Sequence, residues 1–223
     1  MPRRAVRVVK ASARKRAILT DYFALLNQPR RPWLEPESLK QKFLQISAEV
    51  HPDRVHSAGE AEKRVAQNRY TELNSAFNRL RDPKERLLHL LELELGTKPA
   101  QVQPIPPDLL NLFMEVSHLC RKADSILTEK AKTASPVLQV QFFERGQECT
   151  NELLSIQKRI NSRREELETQ LKKVDEQWEL ETKTPEPAKH AVLLQRLEEL
   201  YRLFSYFARW AGQLQERIVQ LSF

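Results

Sequence analysis

The chain of 223 residues contains 4 glycines, 13 prolines and 2 cysteines, and it carries a formal net charge of +7. This length allows one or two domains, and the abundance of Leu, Glu, Gln, Arg and Lys favours a nearly all-helical protein. The sequence has no run of 18 apolar residues, which argues against a membrane span, and Cys120 and Cys149 stand in no metal-binding motif, so we expect neither a metal nor a cofactor.

The excess positive charge lies at the N-terminus. The first 16 residues hold seven Arg and Lys and no acid, which equals the net charge of the whole chain. We therefore interpret residues 1–19 as a basic, disordered leader and expect no specific nucleic-acid binding by the balanced remainder. Without a secretory segment the expected location is cytoplasmic, but an Arg-rich leader without acids could instead be a transit peptide for the mitochondrial matrix.

Four helices are predicted before residue 96. Asp21 can cap the first helix, Pro36 suits the first turn of the second, and Pro52 must end the second. The two long helices, joined by a short polar loop, should form an antiparallel hairpin that displays the loop at its tip. The expected ranges are residues 19–26, 36–50, 60–80 and 84–95, with Val65 on the inner side of the third helix.

A Pro- and Gln-rich segment, residues 96–107, predicts a semi-rigid linker. Beyond it, apolar residues recur at alternating spacings of three and four, which is typical of helices packed in a bundle. We predict a three-helix bundle over residues 108–223 that serves for cargo binding or oligomerisation and could form a homodimer. Its helices are expected at about residues 108–131, 136–182 and 187–222. Each carries an apolar stripe that should face the bundle core: Leu109, Leu112, Val116, Leu119, Ala123 and Ile126 on the first; Cys149, Leu153, Ile156, Ile160, Leu167, Leu171, Val174 and Trp178 on the second; Leu193, Leu197, Leu200, Phe204, Phe207, Ala211, Leu214, Ile218 and Leu221 on the third.

The loop tripeptide His51-Pro52-Asp53 lies between two features typical of one family. The segment "DYFALL" precedes it, and "YTELNSAFNRLRDPKERLLH" follows it. Together they resemble the J-domain family over about residues 20–90, so the expected J-domain spans residues 20–95. This resemblance implies a co-chaperone, not an enzyme, that docks on a DnaK-type chaperone ATPase and stimulates its ATP hydrolysis.

Each residue of the tripeptide suits a docking loop. Pro52 fixes the backbone, so little entropy remains to be lost on binding. Asp53 offers a carboxylate that can pair with an arginine, and His51 adds a directional donor or acceptor. The plainer interpretation is a turn that only stops a helix.

Basic residues near the loop complete the predicted chaperone-binding site, namely Arg54, Lys40 and Lys42. Many J-domains carry further basic residues on the second helix just before the loop. Here these positions hold apolar, neutral or acidic side chains, so long-range electrostatic steering should be weaker than is usual in the family. The positions concerned are Leu44, Gln45 and Glu49.

A J-domain followed by a short linker and a helical bundle resembles the HscB family. The segments "DPKERLLHLLELELG" and "DLLNLFMEV" carry the likeness. This resemblance implies an HscA-type chaperone partner and a client that is the iron–sulfur cluster scaffold protein. Two alternatives stay open: a J-domain adaptor for a different client, or a structural helical protein whose J-domain does not stimulate hydrolysis.

The first bundle helix carries a candidate client-binding surface. At 100° per residue, Leu110, Phe113 and Met114 fall opposite the inward stripe, where large apolar groups call for a partner. The family's scaffold protein binds this helix, but the same surface could instead pack on the J-domain. One turn further, His118 and Arg121 stand where the family carries acids, so the partner's charges or the client itself should differ.

Overall fold

The structure is a computed structural model that describes residues 19–55, 59–99, 105–132 and 135–222. These residues form seven α-helices and two short 3-10 turns, and no strand occurs among them, which confirms the predicted all-α class. The leader residues 1–18 lie outside the described residues. The helices are α1 (Tyr22–Leu25), α2 (Pro36–Val50), α3 (Glu60–Arg81), α4 (Pro83–Leu95), α5 (Leu110–Ala131), α6 (Pro136–Lys183) and α7 (Pro187–Leu221).

Local sequence signals set the ends of α1 to α4, which we call the J unit. Asp21 Oδ1 accepts hydrogen bonds from the N–H groups of Phe23 and Ala24 and so caps α1. Asp82 likewise caps α4 through the N–H of Glu85. Gly96 ends α4 with a φ of 69°, a left-handed conformation that glycine adopts without steric cost.

Helices α2 and α3 pack as the predicted antiparallel hairpin. The rings of Phe43 and Phe77 stack with their centroids 4.3 Å apart midway along it. Nearer the tip, the edge of the His51 ring meets Tyr70 at 5.1 Å. The hairpin therefore presents residues 51–54 at its end, as predicted. Val65 was expected on the inner side of α3, but it is exposed because α2 has already ended at Val50, opposite the middle of α3.

Helices α5 to α7 form the predicted three-helix bundle. At 1.5 Å per residue, the 48 residues of α6 extend about 70 Å, well beyond the 22-residue α5. The predicted stripes of α5 and α6 are buried along their whole length. On α7, Trp210 is buried while the predicted Ala211 is only half-buried, because the larger ring fills the space beside Phe113 and Phe207.

The J unit lies directly on the bundle. Helix α4 packs against α7, and Leu87 and Leu90 belong to the same continuous core as Leu197 and Leu200. The chain between α1 and α2 also contacts α6 far along the sequence, since Arg31 pairs with Asp175. None of the helices within the described ranges combines the length and apolar character that crossing a bilayer requires.

Candidate functional site

The tripeptide forms a compact turn beyond the end of α2. His51 leaves the helix with an extended backbone (φ −61°, ψ 132°), as expected for a residue before proline. Residues 52–55 then form a 3-10 turn, closed by a 3.0 Å hydrogen bond from the N–H of Arg54 to the His51 carbonyl oxygen. The His51 Nδ1 atom accepts the N–H of Asp53 at 3.2 Å, so the histidine side chain itself helps to fix the turn.

The two ends of the tripeptide differ in exposure. The His51 side chain is 42% exposed because its ring rests on Tyr70, whereas the Asp53 side chain is 89% exposed. Arg54 folds back, and its guanidinium donates to the carbonyl oxygen of Ala48 at 3.2 Å. The turn is neither buried nor part of a continuous helix, and it presents a carboxylate outward beside a partly anchored imidazole.

The outer face of α2 has little positive charge, as the sequence predicts. Lys40 is exposed, while Lys42 is half-buried and donates to the side chain of Gln45 at 3.4 Å. Leu44 is 54% exposed between them and the turn. Of the six predicted chaperone-binding residues, the four at positions 51–54 lie together. Lys40 and Lys42 lie about two to three turns of α2 before them.

A shallow cleft beside the turn was not predicted from the sequence. It measures about 570 Å³ and lies between the turn and the start of α3, where Val50 and His51 face Val65 and Arg69. The apolar periodicity of α3 gave the wrong signal here, because it placed Val65 in the hairpin seam.

The predicted client-binding residues divide into two groups. Leu110 and Met114 lie one turn apart on the outside of α5 and are 49% and 56% exposed, so neither packs against the J unit, which was the alternative. Phe113 is half-buried instead, with its ring 6.2 Å from that of Trp210 on α7. The structure therefore places Phe113 under the surface that Leu110 and Met114 present.

Aromatic residues of α7 lie beneath this surface, and the apolar spacing of the sequence did not predict Tyr206 or Trp210 there. Trp210 contacts the rings of Tyr206 and Phe207 at 5.8 and 5.7 Å. Tyr206 and Trp210 are four residues apart and so lie on one helix face, which is a signal that was available in the segment "YFARW". His118 and Arg121 are both exposed further along α5, as predicted.

Neither cysteine offers reactive chemistry. Cys120 and Cys149 are buried and unpaired by disulfide, and burial raises the pKa of both thiols. In the ranges that the structure describes, no three His, Cys, Asp or Glu side chains are grouped closely enough to hold a metal ion.

These features define a class of protein. A helical hairpin with an exposed His-Pro-Asp turn, closed by a fourth helix and joined to a three-helix bundle, is the fold of a J-domain with a C-terminal helical bundle. No protein-family model matches the chain.

Curated relatives share the sequence of part of this chain. The HscB homolog of Paraburkholderia phymatum is 41% identical over 78 residues, which cover 34% of this chain and 45% of that protein. The HscB homolog of Bordetella pertussis is 42% identical over 72 residues, which cover 32% and 42% of the two chains. The chain thus matches slightly less than half the length of these curated relatives.

Solved structures share the fold over nearly the whole chain. Chaperone HscB from Vibrio cholerae aligns with a TM-score of 0.56 at 17% identity, covering 91% of this chain and 99% of its own. The human co-chaperone protein HscB gives a TM-score of 0.55 at 18% identity, covering 98% and 92%. Sequence similarity and fold together confirm the predicted resemblance to HscB-like co-chaperones.

Proposed function

We propose that this protein is a co-chaperone that docks through residues 51–54 on a DnaK- or HscA-type chaperone ATPase, stimulates ATP hydrolysis and delivers the iron–sulfur cluster scaffold protein bound to its bundle. The observation that carries the proposal is the exposed Asp53 carboxylate on a proline-fixed turn at the tip of a helical hairpin. The protein itself then performs no chemistry and acts only on its partner's ATPase.

The geometry of the turn favours docking with little loss of entropy. The Pro52 ring, the hydrogen bond that closes the turn and the contact of His51 with Tyr70 all fix the backbone before binding. The exposed Asp53 carboxylate can then form a charge-assisted, bidentate pair with an arginine of the chaperone. Since Leu44 adds no charge to α2, the association rate should depend only weakly on salt.

A steady-state ATPase assay with the purified chaperone tests the docking site. We expect Asp53→Asn to weaken docking by about 2 kcal/mol, roughly thirtyfold, because an interfacial charge-assisted hydrogen bond is lost. Glu60→Gln is the matched control, since Glu60 is an exposed acid just past the loop that pairs only locally with Lys63. Equal stimulation by Asp53→Asn and wild type would contradict this role, and absence of stimulation by wild type would favour a structural helical protein.

The surface on α5 is the proposed scaffold-binding site. Exposed Leu110 and Met114 stand above Phe113 and Trp210, so a partner would bury apolar side chains over a rigid aromatic support. Leu and Met side chains contribute about 1.5–3 kcal/mol each when fully buried. Exposed apolar side chains of this kind are typical of a surface that binds another protein.

Binding of the purified iron–sulfur scaffold protein, measured by calorimetry, tests this site. The double variant Leu110→Ala/Met114→Ala should weaken binding at least tenfold without unfolding the bundle. Leu154→Ala is the matched control, because Leu154 is a comparably exposed leucine on α6. Unchanged binding by the double variant would place the scaffold elsewhere on the protein.

A second candidate function is a J-domain adaptor for a different client. The exposed His118 and Arg121 favour it, because they make the far end of the α5 surface neutral or basic where the family carries acids. If the scaffold protein does not bind while wild type still stimulates the chaperone, this second function is favoured. A client for this surface should carry acidic groups beside its apolar contact residues.

A further inference from the structure

A buried carboxylate joins the J unit to the bundle. Asp175 on α6 is only 4% exposed, and both of its oxygens are occupied. Arg31 donates to it in a bidentate manner, from Nε at 3.2 Å to Oδ1 and from Nη2 at 2.5 Å to Oδ2, and the N–H of Trp33 donates to Oδ1 at 3.0 Å. Three donors of the segment between α1 and α2 thus converge on one side chain of α6.

Neighbouring residues of α6 extend this contact along one helix face. Trp178 donates from its indole nitrogen to the Arg30 carbonyl oxygen at 3.0 Å, and the Lys172 ammonium lies 4.5 Å above the Trp33 ring. Lys172, Asp175 and Trp178 are spaced by three residues, so they face the same side. We call these three residues and Arg30 to Trp33 the junction.

The junction differs physically from the other contact between the two units. Helices α4 and α7 meet mainly through buried leucines, with one longer polar contact of 3.6 Å between Glu94 and half-buried His190. Apolar burial is non-directional, so it specifies an orientation less strictly than hydrogen bonds do. Hydrogen bonds to a buried carboxylate are directional, and a displaced Asp175 would keep a buried charge without donors. The apolar contact supplies attraction, whereas the hydrogen bonds select one orientation.

We propose that Asp175 is a positioning residue that fixes the orientation of the J unit on the bundle. Arg31 and the backbone N–H of Trp33 are the groups of the J unit that donate hydrogen bonds to Asp175. For the function, the proposal rests on the docking and client-binding roles inferred above: a fixed orientation keeps the turn at residues 51–54 at a constant distance from the α5 surface. A client bound to the bundle then meets the docked chaperone at a constant effective concentration.

Residual dipolar couplings of backbone N–H groups in the isotopically labelled protein measure this orientation without an attached chemical probe. In the wild type, one alignment tensor should fit the N–H vectors of α2 and α3 together with those of α5 and α6. Asp175→Asn keeps an acceptor for Trp33 but turns an amide N–H toward Arg31, which then retains only its pair with exposed, water-screened Glu179. The two units should therefore require separate tensors. The same loss, smaller in extent, is expected for Arg31→Gln, which decides the matter if Asp175→Asn does not fold.

Glu92→Gln is the matched control. Glu92 is as buried as Asp175 and pairs with Arg79 at 2.7 Å, but this ion pair lies within the J unit. Glu92→Gln should lower the free energy of unfolding as Asp175→Asn does, but one alignment tensor should still fit both units. A single tensor in folded Asp175→Asn or, failing that, in Arg31→Gln would overturn the proposal.

ATPase assays connect orientation to function. In the presence of the scaffold protein, Asp175→Asn should lose the extra stimulation that the scaffold gives to wild type, while stimulation without scaffold stays unchanged. Scaffold-dependent stimulation equal to that of wild type would overturn the functional half of the proposal. If wild type itself does not stimulate the chaperone, the proposed function fails, and the couplings alone then decide whether Asp175 positions the J unit.

Discussion

The two ends of the J unit are built from the same residue types in opposite environments. At the tip, local hydrogen bonds and the contact of the His51 ring with Tyr70 hold residues 51–54, and the Asp53 side chain is 89% exposed. At the base, where α1, α4 and the segment before α2 meet, Arg86 and His89 are buried among partners distant in sequence. At the tip, a histidine and a charged side chain are exposed and available to a partner. At the base, a histidine and a charged side chain are buried and stabilise the fold.

This contrast separates the consequences of substitution. A buried polar group contributes to stability because removing it leaves its partners without hydrogen bonds in a place that water does not reach. An exposed group is hydrated in both the folded and the unfolded protein, so replacing it should change stability little. Its effect should appear only when a partner docks. The following substitutions test that separation. Those at the base should lower the free energy of unfolding most.

Arg86→Leu should give the largest effect. Arg86 is 2% exposed, and it donates to the carbonyl oxygens of Pro32 and Leu80 at 2.8 Å each while lying over the Trp33 ring. Leucine has no donor for either oxygen, so the free energy of unfolding should fall by about 4 kcal/mol. Urea denaturation followed by circular dichroism measures this loss.

Arg81→Leu is the matched control, because Arg81 is an exposed arginine at the end of α3, close in the chain to Arg86 in α4. Its guanidinium lies over the half-buried Phe77 ring, 5.8 Å from the ring centroid. We expect a change within about 0.5 kcal/mol. A similar loss of stability in both variants would mean that the base owes its stability to general charge rather than to the bonds of Arg86.

His89 should make stability depend on pH. Its Nε2 accepts the N–H of Tyr22 at 3.0 Å, and burial together with the charge of Arg79 lowers the pKa of His89 to about 4 from its ordinary 6.5. Between these values the unfolded chain binds a proton that the folded protein does not. Stability should therefore be complete above about pH 6.5 and fall by about 3 kcal/mol as the pH drops to about 4.

Comparing urea denaturation of wild type and His89→Gln across this range isolates the histidine. Glutamine can still accept from Tyr22 but does not titrate, so its stability curve should be flatter than that of wild type between pH 6.5 and 4. Carboxylates titrate in the same way in both proteins, so their contributions cancel when the two stability curves are subtracted. Parallel curves would show that His89 is not the group that links protonation to unfolding.

The sequence predicted what depends on neighbours in the chain. The ranges of α2 to α7 followed from proline positions and apolar spacing, and the exposed turn followed from Pro52 between two periodic stretches. Arg86 was part of the family motif, yet its burial could not be foreseen, because its acceptor Pro32 lies 54 residues away.

The junction and the aromatic support of the α5 surface were missed for the same reason. Asp175 lies beside an apolar stripe and looks like an ordinary solvated acid, since its partner Arg31 is 144 residues distant. Phe113 was assigned to the free surface because helical geometry alone does not show that α7 places Trp210 next to it. Contacts between distant segments depend on how the helices pack, which periodicity within one helix does not specify.

Asp53→Asn should have the smallest effect on stability, and for that reason it sharpens the contrast most. The side chain is 89% exposed and its carboxylate lies 3.4 Å from His51 Nδ1, a contact that water screens strongly. The turn is closed by backbone atoms and by the N–H of residue 53, and asparagine retains all of these. We therefore expect the free energy of unfolding to change by less than about 0.5 kcal/mol, measured under the same urea conditions as for Arg86→Leu. A loss of several kcal/mol would mean that the tip is part of the structural core, and reduced ATPase stimulation by Asp53→Asn would then reflect unfolding instead of a missing contact with the chaperone.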